Sequence, residues 1–429
     1  MKTHAPVSLV AIGSLAVATA ALHLVFGLYY ATRAEHLPAR VSLQQQGETF
    51  LASYPGWNSS HESDSTYYNR TAVSILQTGL PRRQSGEITL HAPLYSYFLA
   101  ACYAVGGIRL LSVAIPQALL SGLTAFAVGL AALRIGPQNR WWTGLFAALL
   151  YLVNLRIGMY VGYIYPTLLA LALFAAAFCL STHAWSPGRL TAFSLAIILG
   201  TFAQANFFLL ATACVFWLAL QRKWPATLVI AAGITLKLGS GLLTPQLPAQ
   251  NESAILWEAN NPYYESMRWM SLWERRPGNP WTTWSASPAE QRRYDDYLQR
   301  AAAEQTNPGW LWIKENPGHY AKLCFIRLRT TLGPFTGQMS LRNRAISTFY
   351  WLLIFPLGYY GWWKTRHLPV SQMALCVFLV LTAFETLVIS DWYLRYRLPV
   401  DLMLTAYAAV GFALLWPTRS APSPQPPPN

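Results

Sequence analysis

Apolar side chains run along this chain in long, nearly uncharged blocks, separated by short polar breaks and two long polar stretches. Residues 6–30 contain no acid, Lys or Arg. That run exceeds the roughly 7–15-residue core of a cleavable signal peptide and is long enough to cross a hydrocarbon layer of about 30 Å as a helix. Further apolar runs predict spans over about 93–108, 110–133, 141–155, 157–182, 190–221 and 224–241, then about 345–363, 368–390 and 398–416. The 190–221 run is too long for one perpendicular helix and short for two. Gln204 and Asn206 at its centre predict a break that faces protein or water rather than lipid. Read as one broken span, it gives an all-α polytopic membrane protein of about 10 transmembrane helices, with both long polar stretches on the outer side.

Arg222, Lys223, Lys364, Arg366 and Arg419 then fall inside, as positive-inside orientation prefers, whereas Arg134, Arg140 and Arg189 fall outside and break the rule. The chain divides into an N-terminal membrane module (1–242) with a first outer loop (31–92), an outer insertion (243–344), C-terminal spans (345–416) and a Pro-rich tail (417–429) expected to be disordered.

Both polar stretches carry helix signals. Tyr67, Tyr68, Thr71, Ala72, Ile75 and Leu76 recur at a three-to-four spacing, which predicts a surface-lying amphipathic helix over 64–80, stopped by Gly79 and Pro81. Asp64 would occupy its first turn, where the helix dipole favours a carboxylate. In the insertion, Ser287 to Glu290 reads as a capping box with Pro288 at the first helical position, starting a helix to about 305, and Pro317 starts another.

Composition agrees. Of the 429 residues 54% are hydrophobic and 11% charged, against about 25% charged in soluble domains. The net charge of +14 does not indicate nucleic acid, because Lys and Arg cluster in short breaks and form no stripe interleaved with aromatics. Those breaks suit lipid phosphates and membrane orientation. The five cysteines are scattered and the histidines lack ligand spacing, so no metal, cofactor or disulfide framework is indicated.

The candidate chemistry sits in the outer stretches. Asp64 either caps its helix or removes a proton from an attacking hydroxyl, a contribution of roughly 10²–10⁴-fold in a general base. Arg395 and Arg397 present donor forks that match phosphate oxygens, unless Arg397 pairs with Asp401 one helical turn on. Glu385, an ionisable group within a span, is either functional or a counter-charge to those arginines. The tryptophans and tyrosines of 257–312 either stack on sugars or sit at the bilayer interface.

Four stretches together resemble the GT-C superfamily of polytopic glycosyltransferases, in the branch of protein O-mannosyltransferases, lipid A aminoarabinose transferases and bacterial lipopolysaccharide glycosyltransferases. They are Asp64–Ala72 continuing to Gly79, His91–Tyr95 (HAPLY), Trp257–Pro262 (WEANNP) and Arg395–Pro399 (RYRLP). The resemblance implies a polyprenyl-phosphate-linked sugar donor used at the outer face, with Asp64 as base. It makes Arg82, Arg83, His91, Arg395 and Arg397 ligands of the donor phosphate, and Tyr67, Tyr68, Asn260, Asn261 and Glu385 contacts for acceptor or sugar.

It further implies an inverting transfer without metal to an acceptor glycan, lipid or protein, in a bacterial inner membrane with the site facing the periplasm. Two departures stand out. His91 and Ala92 replace a basic residue or Tyr and the first of two prolines. The chain also shows no separate C-terminal outer domain, so the insertion is expected to contact the acceptor. A rival reading is a flippase or transporter of a lipid-linked sugar, against which stands the lack of an inverted repeat between the halves.

Overall fold

The computed structural model describes residues 5–32, 64–82, 88–89, 92–137, 140–204, 207–243, 256–257, 260, 288–334, 341–388 and 397–416. The remainder of the two outer stretches, Arg83, His91, Asn206, Asn261, Arg395 and the tail lie outside the described residues, and of Asp64 only the backbone is described.

The described residues are helical apart from short turns and one isolated bridge. In chain order the helices are α1 (Ala5–Thr32), α2 (Asp64–Thr78), α3 (Pro93–Gly106), α4 (Leu110–Ile135), α5 (Trp142–Leu152), α6 (Leu155–Met159), α7 (Thr167–Ser181), α8 (Pro187–Ala203), α9 (Phe207–Leu220) and α10 (Trp224–Leu243). The insertion contributes α11 (Pro288–Ala303), α12 (Pro308–Glu315) and α13 (Pro317–Leu332), and α14 (Leu341–Thr365), α15 (Pro369–Leu387) and α16 (Leu398–Leu415) complete the bundle. α1, α4, α15 and α16 are each long and apolar enough to cross a membrane, and the bent pair over 142–162 forms a further candidate span. This is an integral membrane protein.

Contacts fix the direction of each helix. α4 runs antiparallel to α1: Gly129 lies against Ile12, and at Gly122 the Ala16 carbonyl is so close that an added Cβ would meet it at 2.6 Å. Small residues at such crossings let two helix backbones approach where lipid supplies no hydrophobic drive. α5 then returns parallel to α1, with Gly144 at Ile12 and the Leu152 carbonyl at His23. α7 ends beside the end of α4, where Arg134 meets Cys179 and His183.

Two departures from the expected spans follow, and they cancel. The 93–108 segment is not a crossing. α3 folds back along the first half of α4, with Tyr95 Oη donating to Gln117 Oε1 at 3.1 Å. Conversely, 190–221 is two antiparallel helices. The Phe193 and Trp217 rings stand 5.8 Å apart, whereas one continuous helix would hold them about 36 Å apart. α8 ends at Ala203 and α9 begins at Phe207, on either side of the predicted polar break. One crossing is lost and one gained, so among the described residues ten helices still run from one end of the bundle to the other.

The insertion therefore does share an end with the first outer loop. The reversal of α4 moves Arg134, Arg140 and Arg189 to the opposite end, beside Arg222, Lys223, Lys364 and Arg366, and the apparent exceptions to positive-inside orientation disappear. All 17 Asp and Glu residues lie in the first loop, the insertion or the segment 385–401. The bundle thus has an acidic end and a basic end.

The main core is formed by α4, α5, α7, α8, α9 and α16, with Phe174, Phe178, Phe193, Trp217 and Tyr407 fully buried. In the insertion α11 starts at Pro288 and α13 at Pro317, as their proline signals predict. Trp257, Tyr297, Leu311, Trp312 and Leu323 form its own small core. On its surface Glu315 accepts from Tyr297 Oη at 2.8 Å and pairs with Arg300. These bonds hold its carboxyl below the ordinary range. A depressed carboxyl stabilises the fold above its unfolded pKa of about 4.3 and loses that contribution as pH falls through the lower folded value. Acidification below about pH 4 should loosen α11 from α12 by less than ~1 kcal/mol, because the pair is half-exposed. Hydrogen exchange of α11 amides at pH 3 against pH 6 would show it, and Glu315→Gln should abolish the difference.

Candidate functional site

Two groups of side chains lie at the acidic end. The first is built on α2, whose backbone begins at Asp64. The free N–H groups and dipole of this first turn favour a carboxylate. Gly79, with φ of 74°, ends the helix and donates to the Ile75 carbonyl at 2.9 Å, in the manner its sequence predicts. The buried face carries Tyr67, Tyr68, Thr71 and Ala72 as predicted and adds Asn69, whereas Leu76 is exposed. Tyr67 Oη bonds Thr89 Oγ1 at 2.6 Å, Tyr68 packs edge-on against Tyr95 at 5.1 Å, and Tyr103 Oη donates to Asn69 Oδ1 at 2.6 Å. The rings of Tyr67 and Tyr68 are therefore embedded between α2 and α3, one helical turn after Asp64. Arg82 is half-buried and pairs with Ile88 in an antiparallel bridge.

Ala92 enters α3 in the left-handed region, with φ 46° and ψ 51°. Proline is locked near φ −65°, so the Pro-Pro entry of the GT-C motif does not fit this turn. Ala92→Pro should lower stability by more than ~1 kcal/mol, read as a lower unfolding midpoint in detergent. An unchanged midpoint would show that the turn tolerates the motif's own residue.

The second group surrounds the C-terminal end of α13. Arg397, 7% exposed, donates through Nε to Asp401 Oδ1 at 3.0 Å and through Nη1 to the carbonyls of Thr331 (3.1 Å) and Gly333. The pairing one helical turn on is thus present. Arg156 donates to Ser347 Oγ at 3.0 Å and to the Pro334 carbonyl at 2.6 Å. Two guanidinium groups therefore cap the carbonyls that end a helix, where its dipole favours cations. Beside Arg397 and α15 lies a narrow open cleft of about 20 Å³, room for little more than a water, lined by Thr331, Trp351, Phe355, Glu385, Arg397 and Asp401. Arg397 and Glu385 thus share one cleft.

Asn260 is fully buried beside this group and accepts from Arg327 at 3.2 and 3.3 Å, and Arg327 also reaches the Thr386 carbonyl at 3.5 Å. This contact ties Asn260 to the end of α15 that carries Glu385.

A segment missed in the sequence joins the two groups. Buried Gln117 of α4 accepts from Tyr95 and donates to the carbonyls of Tyr160, Val161 and Tyr163 at 2.8–3.2 Å. Arg156, just before that turn, lies in electrostatic reach of Asp401 and Arg397. Each carries a signal the chain displays openly, a polar group inside an apolar run.

No protein-family model and no curated protein matches the sequence. Among solved structures, the crystal structure of ArnT from Cupriavidus metallidurans bound to undecaprenyl phosphate matches 92% of this chain, with a TM-score of 0.53 and 13% identity. The chain has the ArnT fold. It spans 59% of that protein's length. The apo structure of the same protein matches 91% of this chain at 13% identity with a TM-score of 0.48. The likeness is one of fold.

Proposed function

We propose that this protein transfers a sugar from a polyprenyl-phosphate-linked donor to an acceptor hydroxyl at the acidic end of the bundle, inverting the anomeric centre. The observation that carries this reading is the shared fold with a protein crystallised with undecaprenyl phosphate. Alongside it, the helix that begins at Asp64 and the cleft lined by Arg397 and Glu385 share one end of the bundle. The acceptor oxygen attacks the anomeric carbon and gives its proton to the Asp64 carboxylate. The bond to phosphate breaks on the opposite face, and the lipid phosphate departs with the electron pair. Cationic donors placed where that charge grows stabilise the transition state most. Arg82, Arg83, His91, Arg395 and Arg397 take that role.

Asn261 and Glu385 face the acceptor or sugar in this reading. Tyr67, Tyr68 and Asn260 act on it through packing, the first two beneath α2 and the third through Arg327. No nucleotide sugar is available outside the cytoplasm, which suits a lipid-anchored donor and a bacterial inner membrane with the site facing the periplasm.

Asp64→Glu separates this reaction from passage of a lipid-linked sugar across the bilayer. Lengthening the side chain by one methylene misplaces a general base, so transfer should fall by at least about 10²-fold with donor binding retained. A carrier would tolerate the change, and undiminished turnover would overturn the assignment.

A further inference from the structure

The basic end holds Arg134, Arg140, Arg189, Arg222, Lys223, Lys364 and Arg366 without one carboxylate in any of its connections. Positive charge at helix ends orients a membrane protein and needs no ligand. One group of these cations is nevertheless built into a defined arrangement on three helices. Exposed Arg134, at the end of α4, donates through Nη1 to His183 Nδ1 at 3.1 Å and to Cys179 Sγ at 3.3 Å. Exposed Arg189, at the start of α8, is held by its bond to the Ala184 carbonyl at 2.9 Å, and it acts electrostatically on the same imidazole.

His183 Nδ1 lies 3.1 Å from Arg134 Nη1 and 3.2 Å from the Cys179 carbonyl, which places the imidazole against the Arg134 guanidinium. Burial, then Arg134, push the His183 pKa down. Trp185 anchors the loop by packing against Phe193 at 5.5 Å and Trp217 at 5.7 Å. In the adjoining turn Arg140 Nη1 is buried and has no hydrogen-bond partner among the described residues.

We propose that the ends of α4, α7 and α8 form a binding site for the phosphate headgroup of an anionic phospholipid in the leaflet at the basic end, with Arg134 and Arg189 as its ligands and His183 holding Arg134 in place. Clustered donors without a neutralising acid match a phosphate's acceptor oxygens. Their place decides the source: they project from the ends of apolar helices, beside Trp141, Trp142 and Trp185, at the depth where aromatic belts and headgroups meet. The site lies at the opposite end from the proposed transfer site and does not depend on it.

The test is saturable binding of cardiolipin and of phosphatidylglycerol by the full chain in phosphatidylcholine nanodiscs. Arg134→Gln/Arg189→Gln is compared with Lys364→Gln/Arg366→Gln, which removes equal charge from the same end. The first pair should weaken saturable binding about 30-fold, at ~1 kcal/mol for each charge-assisted hydrogen bond lost at an exposed site, and the second, which makes no such bond to the headgroup, should leave it within about twofold. Arg189→Gln alone, at an exposed site, should cost about fivefold and serves if the double variant does not fold. Equal losses in both pairs would reduce the effect to diffuse charge, and non-saturable binding would remove the site. Displacement of the lipid by millimolar inorganic phosphate would make it a free-anion site. Each of these results overturns the proposal.

Discussion

Asp64→Asn should lower sugar transfer by roughly 10²–10⁴-fold, the range a positioned general base contributes, and leave the protein folded. The two halves of that expectation have separate causes. Asparagine keeps the size of the side chain and caps a helix N-terminus about as well as aspartate, so α2 and the tyrosines beneath it should stay in place. Only the ability to take a proton is lost. Donor binding should persist, because the cations assigned to the lipid phosphate are untouched. Transfer rate and lipid-phosphate affinity measured on the same preparation would show this, and a parallel loss of both would assign Asp64 to the fold or to donor binding instead.

Asp401→Ala should destabilise the protein by about 3–5 kcal/mol, the usual cost of leaving one member of a buried ion pair uncompensated. Arg397 and Asp401 are 7% and 4% exposed, and their bond is 3.0 Å long. Arg397 would keep its bonds to the Thr331 and Gly333 carbonyls but lose its carboxylate partner. Because those carbonyls belong to the end of α13, the insertion should loosen from the bundle along with the loss of stability. Asp401→Asn, which still accepts from Nε, should cost clearly less. Unfolding midpoints in mixed micelles and proteolysis of the insertion would check both points, and a change below ~1 kcal/mol for Asp401→Ala would mean that water already reaches the pair.

What the sequence made legible was local. The helix opening at Asp64, its stop at Gly79, the proline starts at 288 and 317, and the one-turn pairing of Arg397 with Asp401 all rest on neighbours a few residues apart. The mistaken crossings were errors of folding back. The α3 segment is apolar enough to span, but Gln117 holds it against α4, and that contact links residues 22 apart. The 190–221 run showed its polar break but not the angle there, which depends on Phe193 meeting Trp217. Farther still, Arg156 bonds Pro334 across 178 positions and Arg327 meets Asn260 across 67. No periodicity carries such pairings, although an arginine among apolar neighbours marks where to look.

The direct test of the proposed chemistry is release of free polyprenyl phosphate. The purified chain would be incubated with radiolabelled polyprenyl-phosphate sugars and a membrane extract as acceptor source, and free lipid phosphate and glycosylated acceptor would be counted together. Equal amounts of the two, an inverted anomeric centre, and loss of both in Asp64→Asn are the predicted result. An intact donor that instead changes leaflets in liposomes containing the protein would contradict the transferase and establish a carrier.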